Sequence, residues 1–324
     1  MEKTELSEEK IKRKRIFAYA AIIFVVFVWG VSPLLTSYAL GYYSATAYSF
    51  MGALISGIAL LIICLPRVKE LNATYFKVAI PTGLFNALAN LLQKIGLPYT
   101  TPTHYAFLEN LSCVAVPILL FVFIKKKPSI LTIIASTLCL AGCFVLSGID
   151  FSKDGLTLGK GEILCALAGV FYGVNIAGTG VYAKKLYAPL YVMLQTWVNV
   201  FVSLFTAIVL NYTKINGEAI SPFVFSWEIK ALAFVGVLTL ISSTFCWIVR
   251  THAMKFVNAS VVAVMMPFSA VVTGVVSVLI KTDAPSLNLF LGGGIVLIAT
   301  ILSAIDDVHD KKESLPKSER GFNG

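Results

Sequence analysis

Very few ionisable side chains interrupt the apolar stretches of this chain, and Glu109 is the one best placed to bind a charged group. It lies about five residues into a predicted helix, roughly 7–8 Å below the helix end at about 1.5 Å per residue. Lys94 lies at a matching depth in the preceding predicted helix, and the short connection between them favours antiparallel neighbours. Three roles stay open: a structural ion pair, a substrate or proton site at Glu109, and separate side chains that reach the membrane interface.

Amide, hydroxyl and indole side chains recur within the apolar stretches. Asn86 and Asn90 are four residues apart, which places both on one face of a helix. Amides in lipid need polar partners, so this face either joins helices together or lines a cavity. The predicted substrate-binding set is polar, aromatic and nearly uncharged: Trp29, Ser32, Asn86, Asn90, Glu109, Asn110, Tyr172, Asn175, Gln195, Asn199, Ser243 and Trp247.

A cavity with this lining suits a zwitterionic or polar organic molecule, or a weakly hydrated amphipathic one. It suits a polyanion such as a nucleotide sugar poorly, because that ligand requires buried arginine or lysine. Arg250 stands with His252 and Lys255 at the predicted end of the eighth stretch. We interpret it as a topology charge, that is, a basic residue that sets the orientation of the chain in the membrane. Pro117 and Pro267 predict helix kinks, because proline removes a helix hydrogen bond.

Catalytic and metal-binding patterns are missing from the sequence. It shows no Ser-His-Asp set, no histidine-rich cluster and no paired carboxylates within the apolar stretches. The six cysteines lie within those stretches without a C-x-x-C pair, so we interpret them as small apolar side chains. We therefore expect no enzyme activity, no cofactor and no metal.

Ten apolar stretches carry these side chains. With 57% hydrophobic and 13% charged residues, the solvent for this chain must be lipid. The runs are continuous rather than alternating, and each is near the roughly 20 residues that a spanning helix needs, so they predict an all-α integral membrane protein. The predicted spans are 16–40, 45–65, 76–97, 104–124, 129–148, 161–182, 189–211, 229–249, 258–280 and 286–305.

The basic residues are unevenly distributed between alternate loops. If the N-terminus is cytoplasmic, 20 of the 26 lysines and arginines fall on the cytoplasmic side. This asymmetry follows the positive-inside rule, and it predicts a plasma-membrane protein with both termini cytoplasmic. The net charge of +9 is thereby explained without a nucleic-acid partner.

The second half of the chain repeats landmarks of the first half. Lys127-Pro128-Ser129 aligns with Ala284-Pro285-Ser286, and in the same register Glu109-Asn110 aligns with Met266-Pro267. Because each half holds an odd number of spans, the second copy is predicted to be inverted, with substrate near the midplane. The predicted organisation is a tail (1–15), a first repeat (16–148), an external linker (149–160), a second repeat (161–305) and a second tail (306–324).

On these residues the chain resembles the drug/metabolite transporter superfamily, in particular bacterial ten-helix permeases built from two EamA-type repeats. Such permeases often carry Gly-Glu after the fourth helix of each repeat. Here Lys125-Lys126 and Thr282-Asp283 stand in those places, so no role of that glutamate is transferred. The motifs that carry the resemblance are Trp29-Gly30, residues 125–129, Gly142, Ala259-Ser260 and Met266-Pro267.

Repeat and resemblance together predict a secondary active transporter. It would move a small polar or amphipathic metabolite, such as an amino acid or a related compound, by alternating access. The alternatives are a channel-like or structural membrane subunit and a multidrug exporter. The expected partners are a small-molecule substrate, the lipid bilayer and, for coupling, protons; a monomer and a homodimer are both compatible with the sequence.

Overall fold

The computed structural model describes residues 2–96, 99, 107–148, 159–215, 218–219, 223–282 and 284–313, and all structural statements concern these residues. The helices up to residue 182 are α1 (Glu2–Ala39), α2 (Ala45–Cys64), α3 (Ala73–Gly96), α4 (Ser112–Ile124), α5 (Ile130–Ser147) and α6 (Lys160–Tyr182). The later helices are α7 (Ala188–Tyr212), α8 (Ile229–Thr239), α9 (Cys246–Ala253), α10 (Ala259–Met265), α11 (Phe268–Leu279) and α12 (Leu287–Glu313).

Four further short elements lie in the described chain. A 3-10 helix (Leu65–Glu70) follows α2, and a π-helix (Leu240–Phe245) joins α8 to α9. Strands β1 (Lys214–Ile215) and β2 (Glu218–Ala219) pair in an antiparallel hairpin after α7. The described apolar stretches are therefore helical, and one of them contains a π-helix.

Within the described residues, nine helical stretches are long and apolar enough to cross a membrane. The helix α3 is long, but with Asn86, Asn90 and Gln93 within it, it is not among these stretches. The chain is a multi-pass membrane protein. The nine stretches are Glu9–Ala39, Ala45–Glu70, Phe107–Ile124, Ile130–Ser147, Lys160–Tyr182, Ala188–Tyr212, Ile229–Ala253, Ala259–Leu279 and Leu287–Val308.

The fourth and ninth predicted spans both contain a break, at positions that the sequence alignment equates. The chain turns at Asn110 before α4, and Pro267 separates α10 from α11. The Cys113 amide donates to the Asn110 carbonyl over 3.1 Å, and the Ala270 amide donates to the Pro267 carbonyl over 3.0 Å. Both copies thus make the same tight turn, although proline stands in one of them alone. The helix α4 continues through its own Pro117.

The two Pro-Ser landmarks also form equivalent local structures. The Thr132 amide donates to the Ser129 hydroxyl over 2.9 Å at the start of α5. The Leu289 amide donates to the Ser286 hydroxyl over 3.2 Å at the start of α12. Each serine thereby supplies an acceptor to an amide that the first helical turn leaves unpaired.

Small residues let α5 and α12 pack with their backbones close together. A Cβ atom added to Gly292 would lie 2.5 Å from the Leu146 nitrogen, and one added to Gly142 would lie 2.9 Å from the Val296 nitrogen. Because these neighbours are backbone atoms, they cannot rotate away. Within the glycine run 292–294, Gly292 therefore serves helix packing.

We expect Gly292→Ala to destabilise the protein by about 1–3 kcal/mol, the usual cost of overpacking a tight contact. Gly294 on the same helix is the matched control, since nothing lies within 4 Å of an added Cβ there. The melting temperature of detergent-purified protein should fall for Gly292→Ala and stay near the original value for Gly294→Ala. Equal melting temperatures for the two variants would contradict the close packing.

Candidate functional site

A cavity of about 960 Å³ lies between helices of both halves of the chain. Tryptophans, hydroxyl groups and two charged side chains line it, so it offers apolar area together with fixed polar contacts. It reaches the end of the bundle at which α5 ends and α12 begins, where Ser147 and Ser286 line it. The lining includes Trp29, Pro33, Glu109, Asn110, Ser112, Tyr172, Ile176, Trp247, Arg250, Met266, Ser269, Thr273 and Ser277.

Arg250 is the main difference from the sequence-based expectation. Its side chain is only 3% exposed and lines the cavity, so its interpretation as a topology charge is wrong. Its Nη2 donates to Asn175 Oδ1 over 3.1 Å, and its guanidinium carbon lies 4.1 Å from the ring centre of Trp247. Its Nε has no hydrogen-bond partner among the described residues. The cavity therefore carries a buried cation with unused donor capacity.

Two indoles form the wall beside this cation. The ring centres of Trp29 and Trp247 lie 5.8 Å apart, and the Arg250 guanidinium carbon is 5.6 Å from the Trp29 ring centre. Trp29 Nε1 donates to the Ser242 carbonyl over 2.9 Å. Ser242 belongs to the π-helix, an element that occurs frequently at functional sites. The π-helix thus fixes the orientation of one cavity tryptophan.

Glu109 brings a carboxyl group to the same cavity. It is half-buried, next to the turn at Asn110, and Tyr172 beside it donates to Gln93 Oε1 over 2.9 Å. Among the described residues, neither Glu109 nor Arg250 has an oppositely charged group within 4.0 Å. The Lys94 side chain lies outside the described part, so the Lys94–Glu109 pair stays a prediction.

The predicted substrate-binding set divides between two cavities rather than lining one. A second cavity of about 200 Å³ lies between α2, α3, α7 and the π-helix. Trp247 lines both cavities, and Asn175 lies behind Arg250, whereas Ser32 is half-buried on α1 and is not among the lining residues of either cavity. The larger cavity has Trp29, Glu109, Asn110 and Tyr172; the smaller one has Asn86, Asn90, Gln195, Asn199 and Ser243.

A network of carboxylates joins the helices at the opposite end of the bundle. The helix α12 continues to Glu313, so Asp306 and Asp307, which the sequence assigns to a polar tail, are buried within it. Asp307 accepts from Tyr19 over 2.8 Å and pairs with Arg15 over 3.2 Å, and it also accepts from the Asn258 amide over 3.3 Å. Asp307 therefore ties α1 to the start of α10.

Asp306, the neighbouring residue on α12, forms the second part of this network. Both of its oxygens lie 2.6 Å from the Ser129 hydroxyl, which donates its single hydrogen to this carboxylate, and Asp306 also accepts from the Thr132 hydroxyl. It therefore holds the first turn of α5 against the end of α12. The adjacent carboxylates together join α1, α5 and the start of α10 to α12, at the end of the bundle opposite Ser147 and Ser286.

The chain has relatives among known transporters. Residues 16–148 match the EamA-like transporter family. An uncharacterized transporter of Archaeoglobus fulgidus is 23% identical over 292 residues, which cover 90% of this chain and 87% of that protein. CMP-sialic acid transporter 2 of Oryza sativa is 23% identical over 235 residues, which cover 72% of this chain and 64% of that protein.

A solved crystal structure supports the fold. It superposes with a TM-score of 0.72 at 14% sequence identity, and the match covers 91% of this chain and 98% of that one. At this identity, the likeness concerns the fold alone.

The first half of this chain is thus an EamA family domain, and the resemblance to the drug/metabolite transporter superfamily is confirmed. The relatives are named transporters rather than enzymes. With its multiple membrane-spanning helices, the chain belongs to the class of transmembrane transport proteins.

Proposed function

We propose that this protein is a secondary active transporter in the plasma membrane. It moves a small zwitterionic metabolite, such as an amino acid or a related compound, by alternating access. Its ten spanning helices include α3 as the least apolar, and they form two inverted repeats with both termini in the cytoplasm. The aligned turns at Asn110 and Pro267 and the aligned caps at Ser129 and Ser286 support the repeat.

The observation that carries the proposal is the presence of Arg250 and Glu109 in one cavity without an ion pair between them. A carboxylate would complete the hydrogen bonding of the buried guanidinium, whose Nε is free of partners in the described structure. An ammonium group would be attracted to Glu109. A zwitterion offers both groups, and the indoles of Trp29 and Trp247 supply an apolar wall for its side chain.

The two ends of the bundle differ as alternating access requires. The larger cavity reaches the end with Ser147 and Ser286, while Asp306 and Asp307 close the other end. Under the positive-inside orientation, the open end faces outward and the carboxylate network lies on the cytoplasmic side. The described conformation then corresponds to an outward-open state, and the network must separate when the protein opens inward.

A second candidate substrate is a nucleotide sugar. Arg250 favours it, and the Oryza sativa relative is named for the transport of CMP-sialic acid. The negative charge of Glu109 in the same cavity disfavours a ligand with several phosphate or carboxylate charges. We therefore rank the zwitterion first.

Counterflow in proteoliposomes tests the proposal. Vesicles are loaded in turn with each common L-amino acid, and the uptake of a trace of the same labelled compound is measured. We expect saturable uptake for at least one amino acid, and no uptake of its decarboxylated amine, which cannot engage Arg250. A channel-like protein would pass the label without stimulation from the opposite side, and a multidrug exporter would accept amine and amino acid alike. Either result would reject the proposal.

The cytoplasmic network should set how readily the protein opens inward. Asp307→Asn removes the charge that pairs with Arg15 and keeps the size of the side chain. We expect labelling of a cysteine placed at Ser260, which lies 9% exposed near the network, to become about threefold faster. Glu70→Gln is the control, because it breaks a solvent-exposed pair with Arg67 elsewhere. Unchanged labelling with Asp307→Asn would show that the network does not act as a closure.

A further inference from the structure

The smaller cavity contains two carbonyl-type oxygens that no described donor satisfies. Asn86 Oδ1 and Gln195 Oε1 are buried without a hydrogen-bond partner, and the two side chains are 7% and 4% exposed. A buried acceptor without a partner is costly, by about 1–3 kcal/mol. Both residues line the same space of about 200 Å³. This cavity therefore favours an occupant that offers a hydrogen-bond donor or a positive charge to these oxygens.

The orientation of the Gln195 amide is fixed by its neighbours. Its Nε2 donates to Thr82 Oγ1 over 2.8 Å and to the Tyr191 hydroxyl over 2.9 Å. The Thr82 hydroxyl donates its own hydrogen to the Val78 carbonyl over 2.6 Å, so Thr82 Oγ1 can only accept from Gln195. A rotated amide would place two oxygens against each other. Oε1 is thus the atom of the Gln195 amide that remains available to an occupant of the cavity.

The rest of the lining is uncharged and rich in oxygen. The lining includes the hydroxyl groups of Thr239, just before the π-helix, and Ser243, within it, together with the amide of Asn199 on α7. Divalent cations usually take carboxylates in their first shell, and no acidic or basic residue lines this cavity in the described chain. Neutral oxygens beside an irregular helix suit a monovalent hard cation. We propose that this cavity binds a sodium ion, with Asn86 and Gln195 among its ligands.

A hydrogen-bond chain links this site to the substrate cavity. Arg250 donates to Asn175 Oδ1 over 3.1 Å, Asn175 Nδ2 donates to the Thr82 carbonyl over 3.0 Å, and Thr82 accepts from Gln195. A cation that holds the Gln195 oxygen also holds the amide that contacts Thr82. Sodium would thus favour the position in which Arg250 receives a carboxylate, and the coupling would be reciprocal. This step rests on the proposed function, whereas the sodium site itself does not.

Sodium binding can be measured on ligand-free, full-length protein in detergent. Sodium chloride is titrated against N-methylglucamine chloride at constant ionic strength, with tryptophan fluorescence and melting temperature as readouts. Trp247 lines the cavity and supplies a local signal. We expect a saturable response to sodium that Asn86→Leu abolishes. Asn86→Asp, which adds a negative charge at the same size, should lower the half-saturating sodium concentration at least about fivefold.

Asn211→Leu is the matched control, because Asn211 lies on the same helix as Gln195 but bonds the Phe223 amide outside the cavity. It should keep the response to sodium. In the transport arm, sodium should raise the affinity for the counterflow amino acid about 5- to 20-fold. The absence of any saturable sodium response, or a response that survives in Asn86→Leu, would overturn this inference while leaving counterflow intact. A sodium response without any counterflow would instead overturn the proposed function.

Discussion

Replacing Arg250 with glutamine is expected to lower the affinity for the transported amino acid about 100-fold, because a buried charge-assisted contact to its carboxylate is lost. Arg250→Lys keeps the charge but loses the planar fork that contacts Asn175 and covers Trp247. We therefore expect Arg250→Lys to recover only a small part of the affinity. Counterflow and ligand-induced thermal stabilisation of the purified variants would measure both effects.

The matched control for Arg250 is Arg67→Gln. Arg67 also lies over an aromatic ring, 4.5 Å from the centre of Tyr187, but its side chain is 53% exposed and outside both cavities. This variant should transport normally. If Arg250→Gln folded with the original melting temperature and kept its affinity, Arg250 would have no contact with the substrate carboxylate. If the variant does not fold, the Arg250→Lys measurement still shows whether substrate binding depends on the positive charge alone or on the planar guanidinium group.

Replacing Glu109 with glutamine is expected to abolish uptake driven by an imposed pH gradient and to leave exchange partly intact. The carboxyl group is the one acidic group on the described wall of the larger cavity, and the neutral amide cannot take up a proton. Affinity for an amino acid should also fall, by about tenfold, because attraction of the ammonium group is lost. Affinity for the corresponding 2-hydroxy acid, which has no ammonium group, should stay within about twofold.

This pair of ligands separates recognition from folding. A loss of folded protein would affect the amino acid and the hydroxy acid equally, and it would show that Glu109 is structural. Glu9→Gln serves as the control, since Glu9 is exposed and pairs with Arg13 on the same helix. Proton-driven uptake that survives in Glu109→Gln would exclude Glu109 as the proton acceptor.

The sequence predicted the helical membrane fold because the signals for it are local. Long apolar runs need no partner to be recognised, and Ser129 and Ser286 cap helices through contacts only three residues away. The turn at Asn110 was not expected, because asparagine carries no strong helix-breaking signal. Its alignment with Pro267 was the available signal for this turn, because the two copies of an inverted repeat share one backbone structure.

The placement of the charged residues could not be predicted from the sequence in the same way. Arg250 and Asp307 stand near the ends of their helices, where charges usually reach water, and their burial depends on partners 75 and 292 residues away along the chain. The spacing of Trp247 and Arg250 by three residues was a usable signal, since it puts a cation and an indole on one helix face. The division into two cavities depends on helix packing throughout the bundle, which no local pattern encodes.

The π-helix at Leu240–Phe245 has a consequence for how this chain compares with other sequences. A π turn accommodates an extra residue, and one residue corresponds to about 100° of rotation for everything that follows on the helix. Deleting one residue from this segment would restore a regular α-helix and turn Arg250 and Trp247 together away from Trp29. A single-residue gap in an alignment here would then mark a change in what the cavity binds. In comparing homologues, the length of this segment is thus as informative as the identity of the arginine.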